Sequence, residues 1–300
     1  MPPIADCLLR RLVRRATIIF ALLAGLALSG CSVARLGYNN APELTHWWFD
    51  GYVDFDAAQS RQVRADLHTL LDWHRKEELP LLEDLLKNMQ PSATEPVAAK
   101  EVCWLYSYLL TRVKTVSYEM VPYAAGVVAT LKPAQLEHIA SEYEKRNRDW
   151  REEWVDGTSA ELGERRVKFV TERAQWFYGK LGEEQVRVLR EHVLASGFDP
   201  AIQYREILRR QQDTLQTLRR LRAMSPPASA QTIQDELRDL LARTLRPPDP
   251  AYLQYLDMIV AQGCEMAAAL HNSTTSAQRQ SLLKTLHGFE ADAHILAQQR

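Results

Sequence analysis

Apolar residues recur at intervals of three and four along almost the whole chain beyond Asn40. Val63, Leu67, Leu70 and Leu71 form one such set, and Val102, Leu105, Leu109, Val113, Val116 and Met120 form a second. Ile233, Leu237, Leu240 and Leu241, then Leu282, Leu286, Phe289 and Leu296, repeat the pattern. This spacing places each set on one face of a 3.6-residue helix, and no stretch sustains the alternation of a strand. The pattern predicts an all-α chain, a multi-helix array of antiparallel helical hairpins. Breaks are expected at 90–96, 179–182, 224–227 and 246–250, where proline removes a backbone donor or glycine ends a helix. Pro80 and Pro122 fall inside helical patterns and should kink or divide them.

Four helix starts resemble one another: Phe55-Asp-Ala-Ala-Gln59, Leu131-Lys-Pro-Ala-Gln135, Leu181-Gly-Glu-Glu-Gln185 and Thr274-Thr-Ser-Ala-Gln278. Each glutamine stands three residues after a cap position, where its side chain reaches back to the cap amide as in a capping box. Four residues after each glutamine comes an apolar residue: Val63, Ile139, Leu189 and Leu282. Asp56 and Thr275 are good caps, Gly182 is acceptable and Lys132 is poor. Leu131 with Leu136, and Leu181 with Val186, have the spacing of a hydrophobic staple. Helix punctuation accounts for all of these positions. The elements also resemble the L-T-x-x-Q motifs of small periplasmic stress chaperones of the Spy type, with Lys132 and Gly182 where those have threonine. That resemblance covers short motifs only and implies a holdase for unfolded envelope proteins as an alternative function.

Residues 1–30 read as a lipoprotein signal peptide. Arg10, Arg11, Arg14 and Arg15 precede the apolar run Ala16–Leu28, which at 13 residues falls short of the roughly 20 needed to span a bilayer. Leu28-Ser29-Gly30-Cys31 resembles the bacterial lipobox, which implies cleavage before Cys31 and acylation of that cysteine. Ser32 follows where an aspartate commonly signals inner-membrane retention, so the implied address is the periplasmic face of the outer membrane. Residues 31–42 are then an acylated N-terminus and short tether, 43–223 a main helical body and 224–300 a C-terminal helical portion. Full extension of the tether at about 3.5 Å per residue keeps the body within roughly 35 Å of the bilayer.

The stretch Tyr38–Tyr52 carries Tyr38, Trp47, Trp48, Phe49 and Tyr52. Trp47, Trp48 and Tyr52 are candidates for an interface, because amphipathic rings suit the headgroup region of a membrane. Packing of the same rings into a core against Leu71 and Trp73 is the competing expectation. The sequence Cys31-Ser-Val-Ala-Arg-Leu-Gly37, Tyr38-Asn-Asn40, Trp47-Trp-Phe49, Asp54-Phe-Asp-Ala-Ala-Gln59 and Leu71-Asp-Trp-His-Arg-Lys-Glu-Glu-Leu79 resembles the opening of an uncharacterised family of proteobacterial lipoproteins, a domain of unknown function. The resemblance is clearest over residues 28–86. It implies an all-helical periplasmic lipoprotein and supplies neither an activity nor a site.

Composition supports the helical reading, since 41 leucines outnumber 27 valines and isoleucines. The 37 basic and 38 acidic residues of the whole chain nearly cancel, which argues against a nucleic-acid partner. Cys7 lies in the leader and Cys31 is assigned to lipid, leaving Cys103 and Cys264 either to form a disulfide in an oxidising compartment or to serve as small hydrophobes. No G-x-S-x-G, H-E-x-x-H, Walker A or G-x-G-x-x-G motif is present. His287, Glu290 and His294 share a helix face as weak candidates for metal ligation, and solvation is the ordinary state of such residues. Arg205, Arg209, Arg210, Arg219, Arg220 and Arg222 are candidates for phosphate contact or for a solvated face paired with Glu206 and Asp213. Trp150 and Trp154, one turn apart, offer a contact ridge or burial against a neighbouring helix. The expectation is a noncatalytic binding or adaptor module, without cofactor or metal, attached to the membrane through Cys31 and serving an unknown envelope protein. An enzyme without a recognisable motif is the remote alternative.

Overall fold

The computed structural model describes residues 33–299, so Leu28, Ser29, Gly30 and Cys31 lie outside the described residues. Among the described residues the regular structure is helical, with one 3-10 turn at Pro91–Ala93 and no strand. The helices are α1 (Val33–Asn39), α2 (Ala41–Val53), α3 (Ala57–Glu77), α4 (Leu79–Met89), α5 (Ala99–Glu119), α6 (Val121–Thr130) and α7 (Pro133–Trp154). They continue as α8 (Ser159–Tyr178), α9 (Glu183–Ala195), α10 (Pro200–Ala223), α11 (Ala230–Leu245), α12 (Pro250–Ser273) and α13 (Ser276–Ala297). The chain divides at Ala41 into two units. In the described part of the first, the segment expected as a tether is helical over Val33–Asn39, with Asn40 donating to the Leu36 carbonyl at 2.8 Å.

The second unit runs from Pro42. Pro80 and Pro122 divide their helical runs, each standing in the first turn of a new helix where its missing donor costs nothing. Helices remote in sequence pack together, α4 with α13, α5 with α12 and α6 with α11, so the portion from 224 onward packs into the main body.

The four glutamines join these helices in pairs. Gln59 and Gln135 each accept their own cap amide, from Asp56 and Lys132, at 3.0 Å. Their amide nitrogens then cross over: Gln59 donates to the Thr130 carbonyl at 3.2 Å and Gln135 to the Asp54 carbonyl at 2.8 Å. The two side-chain amides also bond each other, at 2.7 and 3.2 Å. Lys132, poor as a cap, forms an ion pair with the other cap, Asp56, at 2.9 Å and holds that carboxyl down at about 2.

Gln185 and Gln278 repeat the arrangement. They accept from the Gly182 and Thr275 amides at 2.7 and 2.9 Å and donate across to the Ser273 and Lys180 carbonyls at 2.9 and 3.0 Å. In all four cases the receiving carbonyl stands two residues before the partner's cap. Beside the first clasp Leu131, Leu136, Ile139 and Leu218 share one core cluster, and beside the second Leu181 and Leu189 share another with Leu270.

Two further ties involve α12. Cys264 is bonded to Cys103 of α5, their Cα atoms 5.4 Å apart and 161 residues apart in sequence, a cross-link that contributes about 2–5 kcal/mol. His271 is buried and bridges two elements. Its Nε2 lies 2.8 Å from the Glu95 carbonyl, an acceptor, so Nε2 carries the proton and Nδ1 accepts the Tyr178 hydroxyl at 2.9 Å. Burial pushes the imidazole down from 6.5 and the Tyr178 phenol up to about 12.

Two stability predictions arise from these ties. Replacing Gln135 by Leu leaves the Asp54 carbonyl and the Lys132 amide without their side-chain partner at a buried position, and should cost about 2–4 kcal/mol in urea unfolding. Gln278→Leu, at the half-buried member of the other pair, should cost less. His271 is neutral in the native state, so its contribution is complete above pH 6.5. Below that value the unfolded chain takes up a proton that native His271 resists, and stability should decline with falling pH. His271→Gln should flatten this part of the stability–pH curve, as followed by chemical denaturation.

Candidate functional site

The aromatic stretch singled out in the sequence forms the wall of a cavity. The chain turns sharply between α2 and α3 at Asp54, which takes φ 54, a left-handed conformation more accessible to aspartate than to most residues. Asp50 closes the turn by accepting the Phe55 amide at 2.9 Å. His46, buried on α2, meets the Ser60 hydroxyl of α3 at 3.2 Å and packs on Phe55, while Glu43 pairs with Arg64. With α2 held this way, Trp48, Phe49, Tyr52 and Val53 line one side of a half-open space of about 400 Å³.

Four other helices complete it: α3 through Val63, Leu67 and Leu70, α6 through Tyr123, Ala124 and Val127, α7 through Ile139 and Tyr143, and α10 through Thr214 and Leu218. The rings interlock along the α2 wall. Trp48 meets Phe49 and Tyr52 edge-on at 5.0 and 4.9 Å, and Tyr52 meets Tyr143 at 5.9 Å. Burial, with Tyr52 beside it, raises the Tyr143 phenol above its ordinary value. The Arg146 guanidinium lies over the Tyr52 ring at 4.0 Å.

The three candidates therefore separate. Tyr52 and Trp48 belong to the cavity, although Trp48 keeps 48% of its surface exposed. Trp47 is 74% exposed and lines no part of it. Sequence reading missed Tyr143, Arg146, Thr214 and the α6 wall. A signal was present in Val121–Thr130, a short helix apolar on all sides with small residues at Ala124 and Gly126.

The other candidates are engaged elsewhere. Glu290 accepts from Gln90 and stands 3.6 Å from His287, while His294 faces Glu83 at 3.0 Å. Among the described residues no three His, Cys, Asp or Glu side chains gather to hold a metal. Arg209 and Arg210 bind the buried Glu206, Arg219 pairs with Glu137, Arg220 with Glu236, and Arg222 donates to the Ala129 carbonyl. Trp150 stacks on Tyr204 and Trp154 meets Phe169 edge-on at the wall of a second cavity of about 460 Å³. There Arg166 is occupied in donating to the Val193 carbonyl and the Ser196 hydroxyl, with its guanidinium over Phe198.

In the first cavity aromatic and branched side chains dominate, with the Asp66 carboxylate and the Thr214 hydroxyl as the main polar groups besides tyrosine. Its lining contains no serine or cysteine beside a histidine, the arrangement nucleophilic catalysis uses. The chemistry such a surface offers is retention of an apolar group by exclusion of water.

No curated protein and no solved structure matches the chain. A model of a family of unknown function, DUF6279, matches residues 51–252, a span that holds α3 through α11 and every helical wall of the cavity except most of α2. The chain thus belongs to this family of unknown function.

Proposed function

We propose that the protein is a lipid-anchored lipoprotein of the bacterial envelope, held by acylated Cys31 at the periplasmic face of the outer membrane, and that its helical body is a noncatalytic binding or adaptor module. The observation that carries the binding reading is the half-open aromatic cavity of about 400 Å³ behind α2, a size within the usual range of ligand pockets. The anchor is supported by the order of arginines, apolar run and Leu28-Ser29-Gly30-Cys31, and by a mature chain of net −4 once the basic leader is removed. Several acyl chains, each buried methylene contributing about 0.8 kcal/mol, hold a protein on a bilayer far more firmly than one chain does.

A second reading, a holdase for unfolded envelope proteins, draws on α5. Its apolar stripe has the period of a core face, yet no residue of α5 is buried, and Tyr106, Leu109 and Val113 are all exposed. Exposed apolar surface of this kind suits loose contact with unfolded chains.

Two experiments test these readings. Cys31→Ala should abolish incorporation of labelled palmitate and move the protein out of the membrane fraction; unchanged fractionation without acyl label would defeat the anchor. Photo-cross-linking from position 52 in intact cells should then trap one discrete species if the cavity is the binding site. A broad smear of clients, strongest from position 109, would favour the holdase instead.

A further inference from the structure

We propose that the cavity behind α2 binds a single long acyl chain carrying an anionic head, with the chain inside and the head beside Arg146. The inference rests on the reading of this protein as a binding module and names the ligand class of that same site.

Size is the first ground. An apolar cavity of about 150 Å³ admits one six-carbon benzene, so the roughly 400 Å³ here admits about 16 carbons, the length of a common fatty acyl chain. Lining is the second. Trp48, Phe49, Leu67, Met120 and Val127 present rings and flexible apolar groups, and Asp66, Thr214 and the tyrosine hydroxyls are too few to replace the hydrogen bonds that a ligand rich in hydroxyls or amides would lose on entry. An acyl chain has none to lose.

Charge is the third ground and separates this cavity from its neighbour. Arg166 at the second cavity has its donors committed to a backbone carbonyl and a serine hydroxyl. Arg146 is surface-exposed, lies over the ring of the wall residue Tyr52, and among the described residues takes part in no ion pair. Its guanidinium can therefore meet a carboxylate or phosphate in the fork geometry that such groups favour. The half-open form of the space lets an anionic head remain in water while the chain is enclosed. A free fatty acid and a lysophospholipid share this chemistry.

The test uses the full chain reconstituted in phosphatidylcholine vesicles, with palmitate bearing a terminal diazirine as photoprobe. Irradiation should place adducts on cavity residues such as Leu67, Met120 and Val127, and unlabelled palmitate should remove them. Stronger competition by lysophosphatidylglycerol than by palmitate identifies a lipid headgroup as the source, and the reverse order identifies a free acid; either supports the proposal. Ala124→Trp fills the space from an exposed backbone position and should lower cavity labelling at least about tenfold, with an unchanged circular dichroism spectrum. Arg146→Glu should weaken competition by both anions by about tenfold and leave methyl palmitate, which lacks the charge, unaffected.

Adducts confined to exposed residues such as Trp47, or cavity labelling that survives both excess palmitate and Ala124→Trp, would overturn the proposal. Equal competition by palmitate and methyl palmitate would overturn the role of the anionic head. Cys31→Ala protein mixed in solution with vesicles that carry the photoprobe should label the same cavity residues, so failure of the envelope reading and failure of the ligand assignment are distinguishable.

Discussion

Everything in the arrangement of helices depends on one requirement: the first turn of a helix has amides with no partner inside the helix, and here such turns meet in pairs around glutamine side chains, three of them buried. A glutamine three residues after the cap resolves this with both ends of one side chain. Its oxygen accepts the cap amide and its nitrogen supplies a donor to the carbonyl that precedes the facing helix. Glutamate provides the oxygen but no donor, and its charge is costly to bury without a cation. Asparagine is one methylene shorter. The chemistry therefore requires glutamine at 59, 135 and 185, the three that are fully buried, more strictly than a solvent-exposed capping box would.

The cavity inherits its geometry from the first of these clasps. Gln135 holds the Asp54 carbonyl, and Asp54 is the left-handed residue at which the chain reverses from α2 into α3. Gln59 holds the Thr130 carbonyl and thereby the end of α6, next to Leu131. Two walls of the cavity, α2 and α6, are thus fixed at their ends by the same pair of side chains, which themselves stand in the first turns of α3 and α7. Packing alone would let α2 slide, because Trp47, Leu44 and much of Trp48 are exposed and contribute little burial. Directional bonds place it instead.

Much of this architecture was legible in the sequence because it depends on local rules. Proline at 80 and 122 divided helices where its missing donor is tolerated, and Asp56 and Thr275 capped the helices they precede. The pairing of the glutamines was not legible, since each capping motif is complete within four residues and nothing local says that 59 faces 135 or that 185 faces 278. Lys132 shows the same limit: by cap propensity it is a poor choice, and its reason is an aspartate 76 residues earlier. The α5 stripe is the converse case. Period reports which residues share a face, and it is silent on whether a partner covers that face, so Leu109 and Val113 belong to a regular apolar stripe and stand exposed. The cavity escaped for a related reason, being assembled from five helices between α2 and α10 that contribute two to four residues each. Cys103 and Cys264 were equally plausible as a bridge or as hydrophobes until the packing of α5 on α12 brought their Cα atoms to 5.4 Å.

The manner in which α2 is held bears on whether the space behind it is a defect of packing or a preformed site. A void left by imperfect packing tends to shrink as the surrounding side chains relax into it. Here relaxation is opposed on the α2 side by polar contacts that do not depend on filling the space: His46 with Ser60, Asp50 with the Phe55 amide, and Gln135 with the Asp54 carbonyl. On the opposite side Tyr143 packs edge-on against Tyr52, and Tyr52 in turn lies under Arg146. The small Ala124 leaves the α6 wall thin where leucine would fill it. A wall kept in place by hydrogen bonds and rings, facing a helix kept thin by its sequence, holds the space open before anything enters it. A ligand that enters such a space loses only its own freedom and not that of the walls, so apolar contact is converted to affinity with little offset from ordering the protein.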